Sequence, residues 1–288
     1  STTMFTLRHV ADQAYQGQYF RLLEGKSEAE KAEELMQNLR TGAGEPLASY
    51  YQASAADFTK IPGTPIAYWA SEATRNAFVQ HEPLEKFAPA RQGFQTGDNS
   101  RFLRFWHEIP LGVFVIDASR KEDVFEAGGK WVPYNKGGGY RQWYGNHDYV
   151  VAFDEDNYEI LLESGNRLPS RHLYFKEAIT WSTLSSYSIL GARYSPPGFT
   201  FSAKGACAFP QDLPSPYVLA LMNSLVAAHL LEILAPTLDF NVGSVRELPV
   251  AVPRPAVLKR IAEQSKENVE RARLDWDAYE TSWDFSTL

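Results

Sequence analysis

The feature that most constrains the fold is a series of short β-like runs between residues 61 and 202. Each run is rich in Val, Ile, Phe, Trp, Tyr or Thr, and Gly, Asn, Asp or Pro separates it from the next one. This pattern predicts several short strands in a β-rich region. The acidic stretch 154–157 between two of the runs is predicted to be a hairpin loop. The predicted strands are 102–108, 112–116, 149–153, 158–162, 178–183 and 199–202.

Helical segments are predicted on both sides of this region. Ser27 and Glu30 have the spacing of a capping box, and apolar residues follow at helical intervals. A Ser-Pro pair opens a second helix over 216–234, which is apolar on nearly every side and is therefore expected to be buried. A third helix, within 256–288, carries an amphipathic stripe that needs a partner surface.

These elements predict an α+β fold in three parts. Residues 1–60 are predicted to be a helical connector, and residues 61–255 a β-rich domain. Residues 256–288 are predicted to be a C-terminal amphipathic helix. The 44% of hydrophobic residues in a chain of 288 is enough to form a substantial core.

Composition excludes several classes of protein. No run approaches the roughly 20 apolar residues that span a bilayer, and no signal peptide is recognisable, so we expect a cytoplasmic protein with no membrane partner. The single cysteine, Cys207, excludes a disulfide framework and a thiolate-rich metal site. The histidines and carboxylates match no metal or catalytic spacing, so we predict neither a metal site nor a catalytic residue in this chain.

Charge is distributed unevenly along the chain. The net charge is −7, yet residues 130–146 carry a local charge of +3 and residues 164–211 one of +4, with 147–163 at −6 between them. A basic face can attract phosphates in spite of an acidic total, because association responds to the local field. Ordinary variation along a solvated surface explains the same pattern, so charge alone leaves both interpretations open.

The most unusual segment is 130–146, which combines three consecutive glycines with cations and aromatic rings. Glycines allow a close backbone approach or a positive φ, the cations suit phosphates or guanine edges, and the rings offer stacking faces. The segment matches neither a Walker loop nor Gly-x-Gly-x-x-Gly. A flexible hairpin tip with its aromatics turned into the core is the alternative. The candidate binding residues are Lys136, Gly137, Gly138, Gly139, Tyr140, Arg141, Trp143 and Tyr144.

Two further clusters carry polar side chains of the kinds that hold phosphates or read bases. The turn that begins at Gly93 presents Gln95, Thr96, Asn99 and Arg101, although an ordinary surface turn before a strand is the alternative. The other cluster places Arg171 and Arg193 on either side of a hydroxyl-rich strand end, a composition that also occurs on many exposed strands.

Several of these segments together resemble one family. The chain from about residue 50 to its end resembles the C-terminal half of the PglX family, the adenine-specific DNA methyltransferases of BREX phage-defence systems. The segments that carry the resemblance are GFQTGDNSRFLRFWHEI (93–109), KWVPYNKGGGYRQWYGN (130–146), TWSTLSS (180–186), RYSPPGFTFSAKG (193–205) and LALMNSLVAAHLLEILAPTLDFNVGSVRELPV (219–250).

The resemblance implies a DNA target-recognition domain over 61–255, connected through 1–60 to a methyltransferase domain that is missing from this chain. In the family that domain binds S-adenosylmethionine and methylates a flipped adenine. Here the Asn/Asp-Pro-Pro-Tyr/Phe motif is absent, and Ser195-Pro-Pro-Gly198 lacks both of its functional ends. We therefore expect this chain to bind without methylating and to hold no cofactor of its own.

The resemblance also implies contacts and partners. The glycine segment and the turn at 95–101 become candidate DNA contacts, and Arg171, Arg193 and Lys204 become candidate phosphate contacts. The expected partners are double-stranded DNA, the missing methyltransferase domain and, as further candidates, other BREX subunits or acidic DNA-mimic proteins.

Two other functional classes stay open. A carbohydrate-binding or protein-interaction module would also suit the 39 aromatic residues (7 Trp, 15 Tyr and 17 Phe) and the Gly-Tyr-Arg-Gln-Trp-Tyr segment. A sugar platform should be nearly indifferent to salt, whereas a phosphate-binding face should not. A complete small enzyme is disfavoured because no catalytic constellation is recognisable.

Overall fold

The computed structural model describes residues 4–6, 15–41, 49–185, 187, 189–237 and 239–286. The chain forms two compact units, Ser1–Gln80 and His81–Leu288. The structural division therefore follows Gln80, whereas the functional roles given to 1–60, 61–255 and 256–288 stay predictions.

The first unit combines a two-stranded sheet with helices. Its strands pair antiparallel, from Gln16 opposite Ser54 to Phe20 opposite Tyr50. The predicted capping residue Ser27 accepts a hydrogen bond from the Glu30 amide at 3.2 Å, directly before the first helix. The elements of this unit are β1 (Gln16–Phe20), α1 (Glu28–Thr41), β2 (Tyr50–Ser54), α2 (Ala55–Phe58) and α3 (Glu72–Gln80).

The second unit contains two four-stranded sheets with helices around them. In chain order its elements are β3 (Glu82–Pro83), α4 (Leu84–Phe87), β4 (Ala90–Arg91), α5 (Asn99–Phe102), β5 (Leu103–Phe105), α6 (Lys121–Glu126), β6 (Trp131–Asn135), β7 (Tyr149–Ala152), α7 (Glu155–Glu163), β8 (Ala178–Ser182), β9 (Arg193–Ser195), β10 (Thr200–Phe201), β11 (Gly205–Ala208), α8 (Ser215–Met222), α9 (Leu225–Leu234), α10 (Val242–Val245), β12 (Pro249–Val250) and α11 (Pro255–Asp277).

The order of the first sheet is β10-β6-β7-β5, and that of the second is β4-β11-β8-β9. The β10–β6 pair is parallel, and the other pairs within these sheets are antiparallel. A separate antiparallel pair joins β12 to β3. Helices beside small, mainly antiparallel sheets make an α+β fold, as the sequence predicts.

An aromatic core fixes the first sheet. Phe94 packs against Tyr134, with 4.9 Å between ring centroids, and against Tyr174 at 5.5 Å. The buried Tyr134 hydroxyl donates to the Phe94 carbonyl at 2.6 Å. This bond satisfies the hydroxyl inside the core. Phe94 therefore anchors in the core the Gly93 turn, which carries Gln95.

Some predicted strands are wrong. Residues 158–162 lie in α7, and the predicted hairpin loop 154–157 forms the start of that helix. Asp154 is its N-cap and accepts from the Asn157 amide at 3.0 Å. Tyr158 and Leu161 are buried three residues apart, which is the spacing of a helix face.

The other differences concern strand length. The predicted strand 102–108 shortens to β5, because Asp98 caps α5 before it and the 3-10 helix Trp106–Glu108 follows it. The predicted strand 112–116 begins in the 3-10 helix Leu111–Val113 and keeps one isolated bridge, from Phe114 to Trp131.

The predicted apolar helix over 216–234 is broken into α8 and α9. Ser224 caps α9 by accepting from the Ala227 amide at 3.1 Å, and the two helices are bent by 64°. Within the described part of the chain, no single helix is long and apolar enough to cross a membrane, although this bent pair has the combined length and composition.

The C-terminal amphipathic helix is confirmed as α11. It packs against α8 of the same unit, and Trp276 near its end is buried. The apolar stripe that needed a partner surface therefore has one within this chain.

Gly205→Ala should destabilise the second unit. A Cβ at this position would lie 2.2 Å from the Asn135 carbonyl oxygen, so the backbone between the two sheets would have to shift. We expect a loss of about 1–3 kcal/mol in the free energy of unfolding, measured by urea denaturation. Gly112→Ala is the matched control, because a Cβ there meets nothing within 4 Å. Equal stability of the two variants would contradict the prediction.

Candidate functional site

The candidate site lies where the chain crosses from the first large sheet of the second unit to the second. Strand β10 pairs with the end of β6, and β11 then joins the other sheet after a turn over Ser202–Lys204. The Ser202 hydroxyl accepts from the amides of Lys204 at 3.1 Å and Gly205 at 2.7 Å. The Ser202 amide donates to the Asn135 carbonyl at 2.9 Å. This network holds the turn and leaves the Lys204 side chain exposed at its tip.

The Gly93 turn runs directly beside this crossing. The Gly93 amide donates to the Ser202 carbonyl at 3.2 Å, and the Phe94 amide donates to the Phe201 carbonyl at 3.0 Å. Only glycine fits at position 93, because a Cβ there would lie 1.8 Å from the Phe201 oxygen. This close contact between the two main chains brings together the Gly93 and Ser202 turns, which are far apart in sequence.

Asn166, which the sequence reasoning missed, buttresses the Gly93 turn. Its side chain accepts from the Gln95 amide at 2.7 Å and donates to the Gly93 carbonyl at 3.1 Å. Thr96 is buried and donates to the Asn99 side-chain oxygen at 2.8 Å. Gln95 and Asn99 are exposed. No local sequence pattern indicated Asn166, because its role depends on a long-range contact.

We name the resulting depression of about 310 Å³ the lysine cleft. Its polar lining residues are Gln95, Thr96, Asn99, Lys136, Ser202 and Lys204. Five of these six are sequence-predicted binding residues, and they come from three separate segments of the chain. The structure therefore brings together residues that the sequence places apart.

The cations of the lysine cleft are not neutralised. Among the ion pairs of the described residues, none includes Lys136 or Lys204. Partial burial lowers the pKa of Lys136, whose ammonium lies 5.9 Å from the Tyr134 ring centroid. A partly desolvated ammonium without a carboxylate partner favours an anionic ligand.

The three glycines directly follow Lys136, which lines the lysine cleft. Gly137 and Gly138 have φ of +101° and +117°, which disfavours any side chain. The Gly138 carbonyl accepts from the Ser182 hydroxyl at 3.0 Å, and the Gly139 carbonyl accepts from the Asn146 side-chain nitrogen at 2.8 Å. These bonds tie the loop to β8 and to its own end.

The aromatic residues of the loop divide between surface and interior. Tyr140 is exposed and packs against exposed Tyr187, with 4.5 Å between ring centroids. Trp143 is half-buried at φ of +72°, and its backbone pairs with the chain at Ala192 and Tyr194. Tyr144 is only 7% exposed. The Tyr144 ring is therefore turned into the core, whereas the Tyr140 ring lies at the surface.

Arg141 contacts the C-terminal helix. Its guanidinium lies 4.9 Å from the Trp276 ring centroid and 3.4 Å from an Asp275 carboxylate oxygen. Gly145 also allows α11 to lie close to the loop, because a Cβ at this position would be 2.8 Å from the Trp276 ring. Arg141 therefore anchors the loop to α11.

Arg193 and Arg171, which the sequence analysis predicts to contact phosphates, differ in exposure. Arg193 is 2% exposed and donates to the Gly191 carbonyl at 3.2 Å; burial lowers its pKa to about 10. A phosphate contact by this side chain would require the core to open. Arg171 is exposed in the 3-10 helix Arg171–Leu173. Of the hydroxyl-rich segment between them, Ser186 lies outside the described residues.

A second depression has a volume of about 400 Å³, and we name it the arginine cleft. It is lined by the predicted residue Arg101 and by Arg104, Lys130, Trp131, Ala152, Asp154, Asp156 and Asn157. Arg104 and Lys130 were not among the predicted binding residues, although they belong to the segments 93–104 and 130–146. Their positive charge is the sequence feature that could have indicated them.

Ser195-Pro-Pro-Gly198 is a structural turn. The buried Ser195 hydroxyl accepts from the Asn135 side chain at 2.8 Å. Gly198 has φ of +97°, and a Cβ there would lie 1.8 Å from the Ile116 oxygen. These contacts pack Ser195 and Gly198 into a corner of the fold. Within the described ranges, no three His, Cys, Asp or Glu side chains are grouped to hold a metal.

Gly138→Ala should destabilise the loop more than Gly139→Ala. Alanine at position 138 would be strained at positive φ and would contact the Asn146 side chain, at 3.0 Å from its amide nitrogen. We expect a cost of about 1–3 kcal/mol in urea denaturation for Gly138→Ala. At Gly139 a Cβ meets nothing within 4 Å, so we expect a change of less than about 1 kcal/mol. The reverse order would contradict this loop geometry.

His147 should make the stability of the second unit depend on pH. It is buried against the rings of Tyr144, Phe199 and Trp283, and its Nε2 has no hydrogen-bond partner among the described residues. Desolvation, aided by the charges of Arg193 and Arg141, lowers its pKa to about 3.

An unfolded histidine titrates near about 6.5, so below that pH the unfolded state binds a proton that the folded state refuses. The contribution of neutral His147 to the free energy of unfolding is therefore fully present above about pH 6.5. It is lost as the pH falls towards 3, by at most about 1.4 kcal/mol per pH unit. His147→Phe should flatten this dependence in urea denaturation over that range. Parallel curves for the variant and the original chain would contradict it.

Comparison with known proteins confirms the resemblance predicted from the sequence. The chain is 36% identical to the adenine-specific methyltransferase PglX of Lacticaseibacillus casei (strain Zhang) over 298 residues. It is 32% identical to the adenine-specific methyltransferase BrxX of Escherichia coli O9:H4 (strain HS) over 289 residues. No protein-family model matches the chain. The matches cover 99% of this chain but 24% and 22% of the two relatives, so the chain is similar to about a quarter of an adenine-specific methyltransferase.

Proposed function

We propose that the second unit binds duplex DNA and recognises the target of a PglX-like, S-adenosylmethionine-dependent adenine-N6 methyltransferase of a BREX phage-defence system. The observation that carries the proposal is the lysine cleft. Three separate segments bring together amide and hydroxyl side chains and two cations that form no ion pair with any described residue. The similarity to adenine-specific methyltransferases supports DNA as the ligand of such a cleft.

The chemistry of the cleft fits a nucleic acid. Ammonium groups neutralise phosphates, whereas Gln and Asn amides can form paired hydrogen bonds to the adenine edge. The Thr96 hydroxyl donates to the Asn99 oxygen and so restricts the orientation of that amide. The Asn99 amide protons stay available to an acceptor on a base or a sugar. Lys136 and Lys204 would set the register, and Gln95 and Asn99 would read the sequence.

The role of Arg141 changes within this proposal. Its contacts with Trp276 and Asp275 make it a positioning residue for the glycine loop. The side chains of Tyr144 and Arg193 are buried and are left out of the proposed contact surface. Tyr140, Arg101 and Arg171 are exposed or line a cleft, and they stay candidate contacts.

Methyl transfer would need a region outside this chain. The packed Ser195–Gly198 corner lacks both functional ends of the Asn/Asp-Pro-Pro-Tyr/Phe motif, so we assign no catalytic step and no S-adenosylmethionine contact to these residues. The proposed partners are DNA and the methyltransferase region of a longer protein. Other BREX subunits and acidic DNA mimics are further candidates.

The exposed Tyr140–Tyr187 pair favours one alternative, a carbohydrate-binding module. Exposed aromatic rings bind sugars as well as bases. Charge separates the two functions, because sugar binding should not release counterions and DNA binding should. The experiment on the lysine cleft therefore tests both.

Replacing both cleft lysines, in Lys136→Ala/Lys204→Ala, should weaken binding to a mixed-sequence DNA duplex. Fluorescence anisotropy across a salt series gives the slope of log K against log salt. We expect the slope to become shallower by about 0.9 for each phosphate that the protein no longer neutralises. The control is Lys266→Ala, an exposed lysine on α11 that lines neither cleft. No binding at low salt, or equal slopes in all three proteins, would contradict the proposal.

Gln95→Ala should act differently from the lysine substitutions. If Gln95 reads a base edge, its removal should reduce the preference among duplex sequences, by about 1–3 kcal/mol at one base pair, and leave the salt slope unchanged. Competition between duplexes of different sequence measures that preference. An unchanged preference would exclude Gln95 as a base-reading residue.

A further inference from the structure

We infer that the arginine cleft is a second phosphate site, which holds another phosphodiester of the same DNA duplex. This inference rests on the proposed function. Arg101, Arg104 and Lys130 line the cleft together with Asp154 and Asp156, which makes the lining net positive by one charge. A phosphodiester carries one negative charge, whereas a free phosphate carries about −1.5 to −2 near neutral pH. The lining charge therefore suits a backbone phosphate better than a free one.

The cations of the cleft are held in place by the protein. One terminal nitrogen of Arg104 donates to the carbonyls of Ser100 at 2.7 Å and Leu103 at 2.6 Å. The guanidinium of Arg104 and the ammonium of Lys130 each lie 5.8 Å from the Trp131 ring centroid. Three guanidinium N–H groups of Arg104, on its other two nitrogens, are not used by these bonds, so a pre-oriented donor set is available to a phosphate.

The carboxylates of the cleft do not neutralise these cations. Asp154 caps α7, and both of its oxygens accept from the Asn157 side chain, at 3.0 and 2.9 Å. No ion pair within the described ranges joins Asp154 or Asp156 to Arg101, Arg104 or Lys130. The cleft thus keeps its cations available although acids line the same wall.

Position in the fold connects the two clefts. Asn99 lines the lysine cleft and Arg101 lines the arginine cleft, and both belong to the four-residue helix α5. Because α5 contributes a residue to both linings, one duplex that contacts α5 would present different phosphates to the two clefts.

Two substitutions of opposite sign test the inference. Lys130→Ala should weaken duplex binding several-fold and make the salt slope shallower by about 0.9. Asp156→Asn should strengthen binding at low salt, because it removes a carboxylate beside the phosphate. Anisotropy with the mixed-sequence duplex measures both, and thermal unfolding verifies that each variant folds. Lys266→Ala is the control for removal of a distant charge, and Lys136→Ala/Lys204→Ala reports on the lysine cleft.

The outcomes separate the two proposals. If the lysine-cleft variant loses affinity while Lys130→Ala and Asp156→Asn bind as the original chain does, the second site is wrong and the proposed function stands. If Asp156→Asn weakens binding, the carboxylate accepts from a base and the phosphate assignment is overturned. If the original chain does not bind the duplex, both proposals fail. If inorganic phosphate, at constant ionic strength, binds the original chain but not Lys130→Ala, while both proteins bind the duplex equally, the cleft is a free-phosphate site and the inference fails.

Discussion

The candidate site depends on one close backbone crossing, where the chain passes from β10 to β11. Gly205 lies against the Asn135 carbonyl with no room for a Cβ, and the Ser202 hydroxyl holds the turn through two amides. The Gly93 turn packs beside it in the same way. Glycine is required at both positions because two main chains meet there. Lys204, Lys136 and Gln95 converge only because this crossing is tight.

Side chains that do not line the lysine cleft hold its loops in place. Asn166 holds the Gly93 turn from behind with one accepted and one donated hydrogen bond, and Ser182 holds the Gly138 carbonyl. Because folding has already ordered these loops through such bonds, a ligand would not have to supply the free energy for ordering them. This is the physical basis for expecting a pre-formed cleft.

The C-terminal segment supports the glycine loop from its far end. Trp276 packs over Gly145 and under the Arg141 guanidinium, while the Trp283 ring stacks on His147 with 5.7 Å between centroids. The amphipathic stripe of α11 is thus used within the unit. An arginine that looks like a phosphate ligand in the sequence serves here to fasten two elements together. Its residue type was informative, but its role depended on what packed against it.

The sequence by itself determined the α+β class, the position of β8 and the capped start of α1, because each depends on local residue patterns. It also marked Lys136, Lys204 and Gln95 by residue type, in segments shared with adenine-specific methyltransferases. Only the tertiary structure decided that these three meet in one cleft, that residues 158–162 form a helix and that Arg193 is buried. Those outcomes depend on contacts between residues far apart in the chain, and on burial, which no local pattern encodes.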